Sequence, residues 1–483
     1  MQEKGITVKK EENFSEWFTQ VINKAELADL RYNLKGFVVF RPWSVLVMEK
    51  IYDLFEEELQ KNGHLPCYFP SLIPKENFEK EAEHVKGFTP EVFWVTKAAD
   101  KELEQELALR PTSETAFYKM YSTWIRSWRD LPLKLYQRAQ VWRYETKATR
   151  PFIRSREFYW IEAHDCFATK EEAEQQVLQD IETTRKVMEE KLGIPFLPLR
   201  RPEWDKFAGA LYTIGSDSLM PDGKVVQQPS THMLGQGFAK AFGIKFVDKK
   251  EKEKYVWQTC YGPAVSRITA SLIAIHGDDS GLIWPFIVAP LQVIIVPIYD
   301  KETKQKVVDR CKEIKEKLNS LGIRAEVDLT EKTPGEKFYE WELKGVPIRI
   351  EIGIKEVDNG MLTVCLRDTK ERIKLEQDDF EKIYEIGKEF DERLREKAKS
   401  WFDSRLESAK TLEDLKRILA SKKIARAEFC SIDKEGEKCA EVIEKEYLAS
   451  IRGVRHDIAE KPEGNCIVCG KKANYVVYIA KSY

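Results

Sequence analysis

Hydrophobic positions in the first third of the chain follow a helix pattern and then a strand pattern. Over residues 43–62 they recur at helical spacing, which predicts an amphipathic helix. Its apolar face consists of Val45, Met48, Ile51 and Phe55. The runs 133–142 and 158–166 have strand character and are separated by a charged segment. We therefore predict a helix followed by two strands that a long basic loop connects.

Two more helices are predicted in the middle of the chain. Residues 171–192 have the pattern of a long amphipathic helix. Residues 262–275 are apolar and rich in small side chains, with Arg267 as their one cation. This second segment is typical of a helix that is buried around a single charge.

Beyond residue 290 strand and helix patterns alternate. The strands are predicted at 293–296, 325–327 and 347–352, and the helix between the first two at 301–320. This βαβ alternation is typical of an α/β domain. The highly charged helix predicted at 381–400 is interpreted as a solvated spacer.

Residues 281–299 resemble a membrane span, since Gln292 is the only strongly polar side chain among them. Pro285, Pro290 and Pro297 would interrupt a single helix, however. We therefore expect two short buried strands joined by an interdomain connection, and no membrane partner.

Composition and charge narrow the class of protein. At roughly 100–200 residues per domain, 483 residues correspond to two to four domains. The 79 basic residues nearly balance the 81 acidic ones, and the net charge of −2 excludes a surface that coats nucleic acid. Any polyanion must bind a local patch. Residues 1–14 contain no secretory signal, and nine cysteines is an odd number, so we expect a reducing cytosolic location.

The densest run of positive charge lies between the two predicted strands. Six basic and two acidic residues fall within 138–157, a pattern that also fits an ordinary solvated hairpin. Arg143 directly follows a strand, however, and a rigidly held guanidinium suits phosphate binding. Arg267 in its apolar helix also needs an anionic partner, either a protein carboxylate or a ligand phosphate. The two arginines favour a nucleotide site built from side chains, because no glycine-rich phosphate loop is present.

Four cysteines near the end of the chain predict a metal site. They are Cys430, Cys439, Cys466 and Cys469, and the last two form a C-x-x-C motif. Four thiolates match tetrahedral Zn²⁺. A redox dithiol would explain Cys466 and Cys469 but neither of the other two. We predict one structural zinc per chain without a catalytic role.

Several ordered motifs resemble the class II aminoacyl-tRNA synthetases. They are Arg110-Pro111-Thr112-Ser113-Glu114, Arg143-Tyr144-Glu145 with Arg154 and Glu157, Phe207-Ala208-Gly209, Ser230-Thr231-His232 and Gly262 through Arg267. Most closely they resemble the prolyl-tRNA synthetases of the archaeal and eukaryotic type, over nearly the whole chain. Pro70, after the first long helix, resembles the dimer-interface motif of that family.

The resemblance implies an α+β fold in three parts. Residues 1–285 would form the catalytic domain, with an antiparallel sheet flanked by helices. Residues 286–397 would form an α/β anticodon-binding domain, and residues 398–483 a small zinc-binding α/β domain. A cytosolic homodimer is implied, with proline tRNA, ATP and L-proline as partners. The segment between Cys166 and Gly262 leaves no room for the editing domain of bacterial-type relatives.

The implied reaction joins two anions. The proline carboxylate attacks the α-phosphorus of ATP, and the prolyl-adenylate then passes its acyl group to a ribose hydroxyl of tRNA. Positioning and charge neutralisation are therefore the main tasks. By resemblance the catalytic residues are Arg143 and Arg267, with Mg²⁺ accompanying ATP. The implied ATP-binding residues are Arg143, Glu145, Arg154, Phe158, Gln227, Ser230 and Arg267.

The family positions for the amino acid combine acids with aromatic rings. A secondary ammonium needs acceptors, and a pyrrolidine ring needs a tight apolar wall. The implied proline-binding residues are Thr112, Glu114, Arg143, Trp160, Glu162, Phe207, His232 and Phe88. For each aromatic residue taken alone, ordinary core packing remains the alternative. Ser230-Thr231-His232 departs from the Thr-Ser-His that the family usually shows.

Two further expectations concern the rest of the molecule. Arg349, Glu351 and Lys355 are candidate anticodon contacts, with a solvated sheet edge as the alternative. Tyr483 is expected near the active site by resemblance.

Three other functions are considered. The first is another synthetase of the subclass, for threonine or serine. The second is a catalytically inactive synthetase-like tRNA-binding or regulatory protein, which should have lost Arg143 or Arg267. The third, a zinc-dependent nucleic-acid-binding module, conflicts with the near-neutral charge.

Overall fold

The computed structural model describes residues 5–78, 91–376 and 379–483. Its helices are α1 Phe14–Lys24, α2 Pro42–Lys61, α3 Glu114–Trp124, α4 Lys170–Thr184, α5 Gly237–Phe242, α6 Val265–His276, α7 Lys304–Ser320, α8 Pro334–Leu343, α9 Ile354–Asn359, α10 Phe380–Asp403, α11 Leu412–Ala420 and α12 Glu437–Tyr447.

The strands lie between these helices and form several sheets. They are β1 Ala28–Asp29, β2 Val39–Phe40, β3 Leu65–Pro66, β4 Leu72–Pro74, β5 Trp94–Ala98, β6 Lys101–Leu109, β7 Leu133–Trp142, β8 Glu157–Phe167, β9 Leu197–Arg200, β10 Tyr212–Leu219, β11 Lys224–Gly235, β12 Lys245–Val247, β13 Glu253–Tyr255, β14 Trp257–Gly262, β15 Val293–Pro297, β16 Ala325–Val327, β17 Ile348–Ile352, β18 Met361–Leu366, β19 Arg372–Glu376, β20 Leu406–Ala409, β21 Ile424–Phe429, β22 Ser450–Arg455 and β23 Tyr475–Ser482.

The largest sheet is antiparallel through its centre. Its strand order is β20-β21-β23-β22-β9-β10-β11-β14-β8-β7-β3. The predicted basic hairpin is confirmed, because β7 and β8 pair from Leu133–Cys166 to Trp142–Glu157. The apolar faces of α1, α2 and α6 pack into one core with this sheet, which is why their hydrophobic positions recur at helical spacing. Val45 of α2, predicted on that face, is exposed instead.

A second sheet forms the middle of the chain, in the order β16-β15-β17-β18-β19. Strand β15 is parallel to β16 and β17, while β17, β18 and β19 are antiparallel. The predicted βαβ alternation is therefore confirmed, and an antiparallel hairpin is added to it.

Three sequence predictions need correction. Helix α4 ends at Thr184, and a π-helical segment, Arg185–Lys191, continues it where one long α-helix was predicted. Only β15 forms in 281–299, because Pro285 and Pro290 lack amide hydrogens and the amides of Leu282 and Trp284 bond to carbonyl groups at the end of α8 and just beyond it.

Helix α10 is also not a solvated spacer. One of its faces is buried and includes Ile383, Phe390 and Leu394, so the charged residues cover only the opposite face. Within the described residues, none of the helices combines the length and the apolar character that crossing a membrane requires.

Candidate active site

A cavity of about 160 Å³ opens on the central sheet. It is lined by Thr112, Glu114, Arg143, Phe158, Trp160, Glu162, His164, Phe207, Gln227, Gln228, Ser230, His232, Cys260, Tyr261, Gly262, Ala264 and Arg267. Most of the predicted site residues are in this set, although they come from widely separated parts of the chain. We refer to this cavity as the pocket.

Strand β8 supplies one wall by simple alternation. Phe158, Trp160, Glu162 and His164 are two residues apart, so their side chains lie on the same face of the sheet. His164 was not predicted from the sequence, although this period of two marks it. The His164 ring lies 3.3 Å from a Glu162 carboxylate oxygen and 3.3 Å from the Tyr118 hydroxyl.

Strand β11 supplies the opposite wall, where Ser230 and His232 follow the same alternation. Gln227 is out of phase with them but still lines the pocket, because the β10–β11 register shifts between Gly215 and Asp217. Such an irregularity re-aims a side chain in a way that alternation does not predict. Thr213 lies 2.8 Å and Ser230 3.1 Å from the two ring nitrogens of His232.

Burial and the neighbouring Arg201 and His164 lower the pKa of His232 to about 3. Its imidazole is therefore neutral at physiological pH. The Phe207 ring packs against it with centroids 4.8 Å apart. The two rings give this side of the pocket an uncharged aromatic surface.

The buried acids at the start of α3 and on β8 concentrate negative charge. Glu114 accepts a hydrogen bond from the Thr112 hydroxyl. Glu162 accepts hydrogen bonds from the hydroxyl of Ser113, from the backbone N–H of Ser113 at 3.1 Å and from the side-chain amide of Gln137 at 2.8 Å. Burial raises the pKa of Glu162, but the bonds from His164, Ser113 and Gln137 outweigh it, and the pKa is lowered. Glu162 is therefore ionised.

The guanidinium of Arg143 faces these acids. It follows β7 directly, its Nε donates to the Pro111 carbonyl at 3.0 Å, and it lies 5.2 Å from the Phe158 ring centroid. Desolvation by the surrounding protein lowers the pKa of Arg143, and this effect exceeds the opposing influence of the Glu114 and Glu162 carboxylates, which raise it. The group remains open to solvent through the pocket.

Arg267 approaches from the first turn of α6. Its Nε donates to the Ile153 carbonyl at 3.1 Å, and one terminal nitrogen donates to the Gln227 carbonyl at 3.5 Å. Burial, together with Arg143 and Arg154, lowers the pKa of Arg267 to about 10, which still leaves it charged. Among the residues that the structure describes, neither Arg267 nor Arg143 forms an ion pair with a carboxylate.

Glu145 and Arg154 lie beside the pocket rather than on its wall. They form an ion pair of 2.9 Å, and Arg154 also donates to the carbonyl of Tyr483 at 2.6 Å. The Tyr483 hydroxyl donates to Asp222 at 2.7 Å. Tyr483 therefore contacts a predicted ATP-binding residue. Phe88 lies outside the described residues.

The predicted anticodon contacts differ in exposure. Arg349 and Glu351 are buried on β17, where Nη2 of Arg349 lies 2.9 Å from the Glu351 carboxylate. Glu342 and Arg372 extend this ion-pair network at 3.3 Å each. Lys355 is exposed on α9. A role for these residues in binding the anticodon stays a prediction.

The four predicted zinc ligands come together in what we call the four-cysteine cluster. The sulfur atoms of Cys430, Cys439, Cys466 and Cys469 lie within 4.8 Å of one another. Cys466 and Cys469 share a tight turn in which the Gly470 N–H donates to the Cys466 carbonyl at 3.0 Å. Gly470 has φ +70°, a conformation that favours glycine. Four thiols at this spacing fit a tetrahedral zinc ion.

Comparison with known families covers the three parts of the chain. The family models that match are the tRNA synthetase class II core domain (G, H, P, S and T) at residues 93–276, an anticodon binding domain at 292–385 and the prolyl-tRNA synthetase C-terminal domain at 412–483. The sheet and pocket described above are therefore those of a class II aminoacyl-tRNA synthetase.

Similar proteins define the family more narrowly. Proline--tRNA ligase of Thermofilum pendens is 55% identical, covering 100% of both chains, and that of Pyrococcus abyssi is 42% identical over 98% of each. The solved Giardia lamblia prolyl-tRNA synthetase in complex with prolyl-adenylate superposes with a TM-score of 0.95 at 37% identity, covering 99% of this chain and 100% of that one. The chain belongs to the prolyl-tRNA synthetase family.

This membership confirms the predicted family, fold class and enzyme class. The threonine, serine and inactive alternatives are not favoured, and both arginines face the pocket. The segment between Cys166 and Gly262 contains α4, the π-helical segment, α5 and β9–β14.

Proposed function

We propose that the pocket attaches L-proline to its tRNA through prolyl-adenylate, with Arg143 and Arg267 neutralising the reacting anions. The observation that carries this proposal is the pair of guanidinium groups, which converge on one pocket with backbone carbonyls as their hydrogen-bond acceptors. Such groups are available to ligand anions, because no carboxylate within the described residues forms an ion pair with either of them.

In the first step a carboxylate oxygen of proline attacks the α-phosphorus of ATP, and the bond from that phosphorus to pyrophosphate breaks. Arg143 would bridge the carboxylate and the α-phosphate, while Arg267 would hold the γ-phosphate. Both arginines act by charge and position, since the reaction requires no strong base to begin. Mg²⁺ would accompany ATP and would supply further neutralisation of the phosphates.

The remaining ATP contacts would surround the adenine and ribose. Phe158 offers a ring for stacking, and Gln227 and Ser230 offer polar groups on β11. Glu145 would accept from the adenine amino group while its ion pair with Arg154 fixes its position.

Proline recognition would divide between charge and shape. Thr112, Glu114 and Glu162 would accept from the secondary ammonium. The pyrrolidine ring would lie against uncharged aromatic side chains, namely Trp160, Phe207 and His232. Neutral His232 suits this role, because a charged imidazole would repel the ammonium.

The second step needs a bound tRNA. We place the anticodon-binding domain at 286–397, with Arg349, Glu351 and Lys355 as candidate contacts, between a catalytic domain at 1–285 and a C-terminal domain at 398–483. The boundary at 397/398 falls inside α10, so one helix would run from the second domain into the third. We propose a cytosolic enzyme, as the free cysteines suggest.

The four-cysteine cluster would hold one structural zinc ion. It joins the end of β21, helix α12 and the turn before β23, and the all-sulfur donor set leaves no open coordination position. We therefore assign it to the stability of the C-terminal domain.

A homodimer is proposed through α2 and the residues that follow it. Leu46, Leu65 and Tyr68 are exposed, the last by 84%, and β3 is the edge strand of the largest sheet. Exposed apolar side chains beside a free strand edge favour association. Sedimentation equilibrium should give twice the 56.3 kDa of the chain.

Exchange of labelled pyrophosphate into ATP tests the function. Proline should support exchange, whereas threonine and serine should not. Exchange with threonine or serine instead would contradict the proposal, and exchange with no amino acid would favour the inactive alternative.

Arg143→Ala tests the main role in the pocket. Loss of a transition-state charge contact is expected to lower kcat/KM for exchange by at least about 10²-fold. Arg143→Lys should recover only part of it, because an ammonium cannot bridge two anions with a planar fork. Lys147→Ala removes an exposed cation from the same hairpin and should match the unmodified chain, with circular dichroism confirming that all variants fold. Unchanged exchange in Arg143→Ala would contradict the assignment.

A further inference from the structure

Deep in the pocket, three different metal-binding groups converge. A carboxylate oxygen of Glu114, a ring nitrogen of His164 and the sulfur of Cys260 lie within 4.8 Å of one another, and all three residues are buried. Each of them also lines the pocket. The roles proposed above use Glu114 but leave His164 and Cys260 without a function.

The sheet register explains why the cluster forms. Cys260 on β14 is directly opposite His164 on β8, so their side chains are nearest neighbours on the pocket face. Glu114 is the first residue of α3, which follows the Arg110–Ser113 segment beside β7. Cys260 is also opposite His232 on β11, but the His232 ring is hydrogen-bonded to Thr213 and Ser230.

Neighbouring side chains already hold these groups in place. Glu162 lies 3.3 Å from Nε2 of His164, and the Tyr118 hydroxyl lies 3.3 Å from Nδ1. A metal ion that binds one of these nitrogens replaces its present partner, while the other partner continues to orient the ring. Thr112 donates to Glu114. A thiolate, an imidazole and a carboxylate are the donors that zinc accepts, and three protein ligands leave a fourth position open toward the pocket.

We propose that Glu114, His164 and Cys260 form a second, inhibitory zinc site inside the amino-acid pocket. The zinc ion forms a bond to the Cys260 sulfur and displaces the thiol proton to solvent. It occupies the space beside Glu114 that the proposed function gives to the proline ammonium, so zinc and proline exclude each other. The competition with proline, but not the metal binding, rests on that proposed function.

Co²⁺ binding to the full chain tests the site, because cobalt bound to a thiolate has a charge-transfer absorption. The unmodified chain should bind one more equivalent of Co²⁺ than either the Cys260→Ser or the Cys260→Ala variant does. Cys166→Ser is the matched control, since Cys166 is equally buried on β8 but lies outside the cluster, and it should bind like the unmodified chain. Equal binding by the unmodified chain and both Cys260 variants would overturn the proposal.

Competition is measured in the same titration. Saturating proline should weaken the affinity of the Cys260-dependent site for Co²⁺ at least tenfold. In the exchange assay, Zn²⁺ should inhibit competitively with proline in the unmodified chain but not in Cys260→Ser. Cys260-dependent binding that proline does not affect would support the metal site and contradict the proposed location of proline. Inhibition by Zn²⁺ that persists in both Cys260 variants would overturn the inhibitory role.

Discussion

At the scale of single residues, Glu114 carries the most specific claim about the amino acid. Its side chain is only 4% exposed, so an ammonium group bound beside it replaces its hydrogen bonds to water with one to a buried carboxylate. Glu114→Gln keeps the shape of the side chain and removes its charge. We expect the KM for proline to rise about 10- to 100-fold, since a hydrogen bond to a charged group contributes roughly 1.5–3 kcal/mol. The KM for ATP should remain near its original value.

Exchange kinetics at varied proline and varied ATP distinguish these two effects. Glu189→Gln, a change of the same kind in the π-helical segment and outside the pocket lining, is the control and should alter neither constant. A variant of Glu114 that raises the KM for ATP but not for proline would refute the assignment.

Individual residues were predictable where strand alternation or an uncompensated charge marked them. Glu162 and Trp160, which the family resemblance implied, lie on the pocket face of β8 as the period of two requires, and Arg267 was identified as the one cation in an apolar helix. His164 follows from the same period and was missed. The placement of Gln227 was not predictable from alternation, because it depends on a register shift against β10.

At the scale of elements, the four-cysteine cluster links three pieces of the C-terminal domain. Cys430 follows β21, Cys439 lies in α12, and Cys466 lies in the turn before β23. Cys430→Ser should remove the zinc and lower the Tm by on the order of 10 °C, because the metal ties loop ends that are otherwise held by a small core. The KM for proline should be unchanged.

Metal analysis by mass spectrometry and thermal unfolding check this expectation. Cys67→Ser, a half-buried cysteine outside the cluster, should keep the zinc and most of the Tm. Retention of a full equivalent of zinc in Cys430→Ser would show that the cluster is not the site.

Elements with a strong hydrophobic period, such as α2 and the β7–β8 hairpin, were predicted close to their observed bounds. The errors arose where tertiary contacts overrode local patterns. In α10 the buried apolar residues are outnumbered by charged ones, and the composition therefore suggested a spacer. The helical spacing of Ile383 and Phe390 indicates a packed helix instead.

At the scale of the whole molecule, the catalytic and C-terminal domains share one sheet. Strand β22 pairs with β9, and the end of β23 pairs in parallel with β11. Partners hundreds of residues apart, such as Arg154 and Tyr483, meet because of this joint. Sequence patterns mark each strand but carry no signal for which domains a sheet will join, so this continuity could not be predicted.

A buried ion triad lies at the joint, where Asp217 of β10 accepts from two arginines. Arg201 donates to it at 2.5 and 2.9 Å, and Arg452 of β22 donates at 2.7 Å. All three side chains are at most 10% exposed. Burial raises the pKa of Asp217, but the two arginines outweigh this and hold it well below its usual range.

Asp217→Asn should therefore loosen the joint, because it removes the buried carboxylate that both guanidinium groups share. We expect a loss of about 3–5 kcal/mol in the free energy of unfolding at pH 7. Asp205→Asn is the control. This carboxylate is 46% exposed and lies 3.9 Å from Arg201, so its loss should lower the free energy of unfolding by no more than about 1 kcal/mol. Urea unfolding measures both.

The stability that Asp217 contributes should depend on pH. Because the folded pKa of Asp217 is depressed, its contribution is fully present above the unfolded value of about 3.9 and is lost as pH falls below it. The difference between the unmodified chain and Asp217→Asn should therefore be constant from pH 7 to 5 and shrink between pH 4 and 3. If the difference stayed constant down to pH 3, the stabilisation would not come from the ionised carboxylate, and the two domains would be joined by backbone pairing and apolar packing alone.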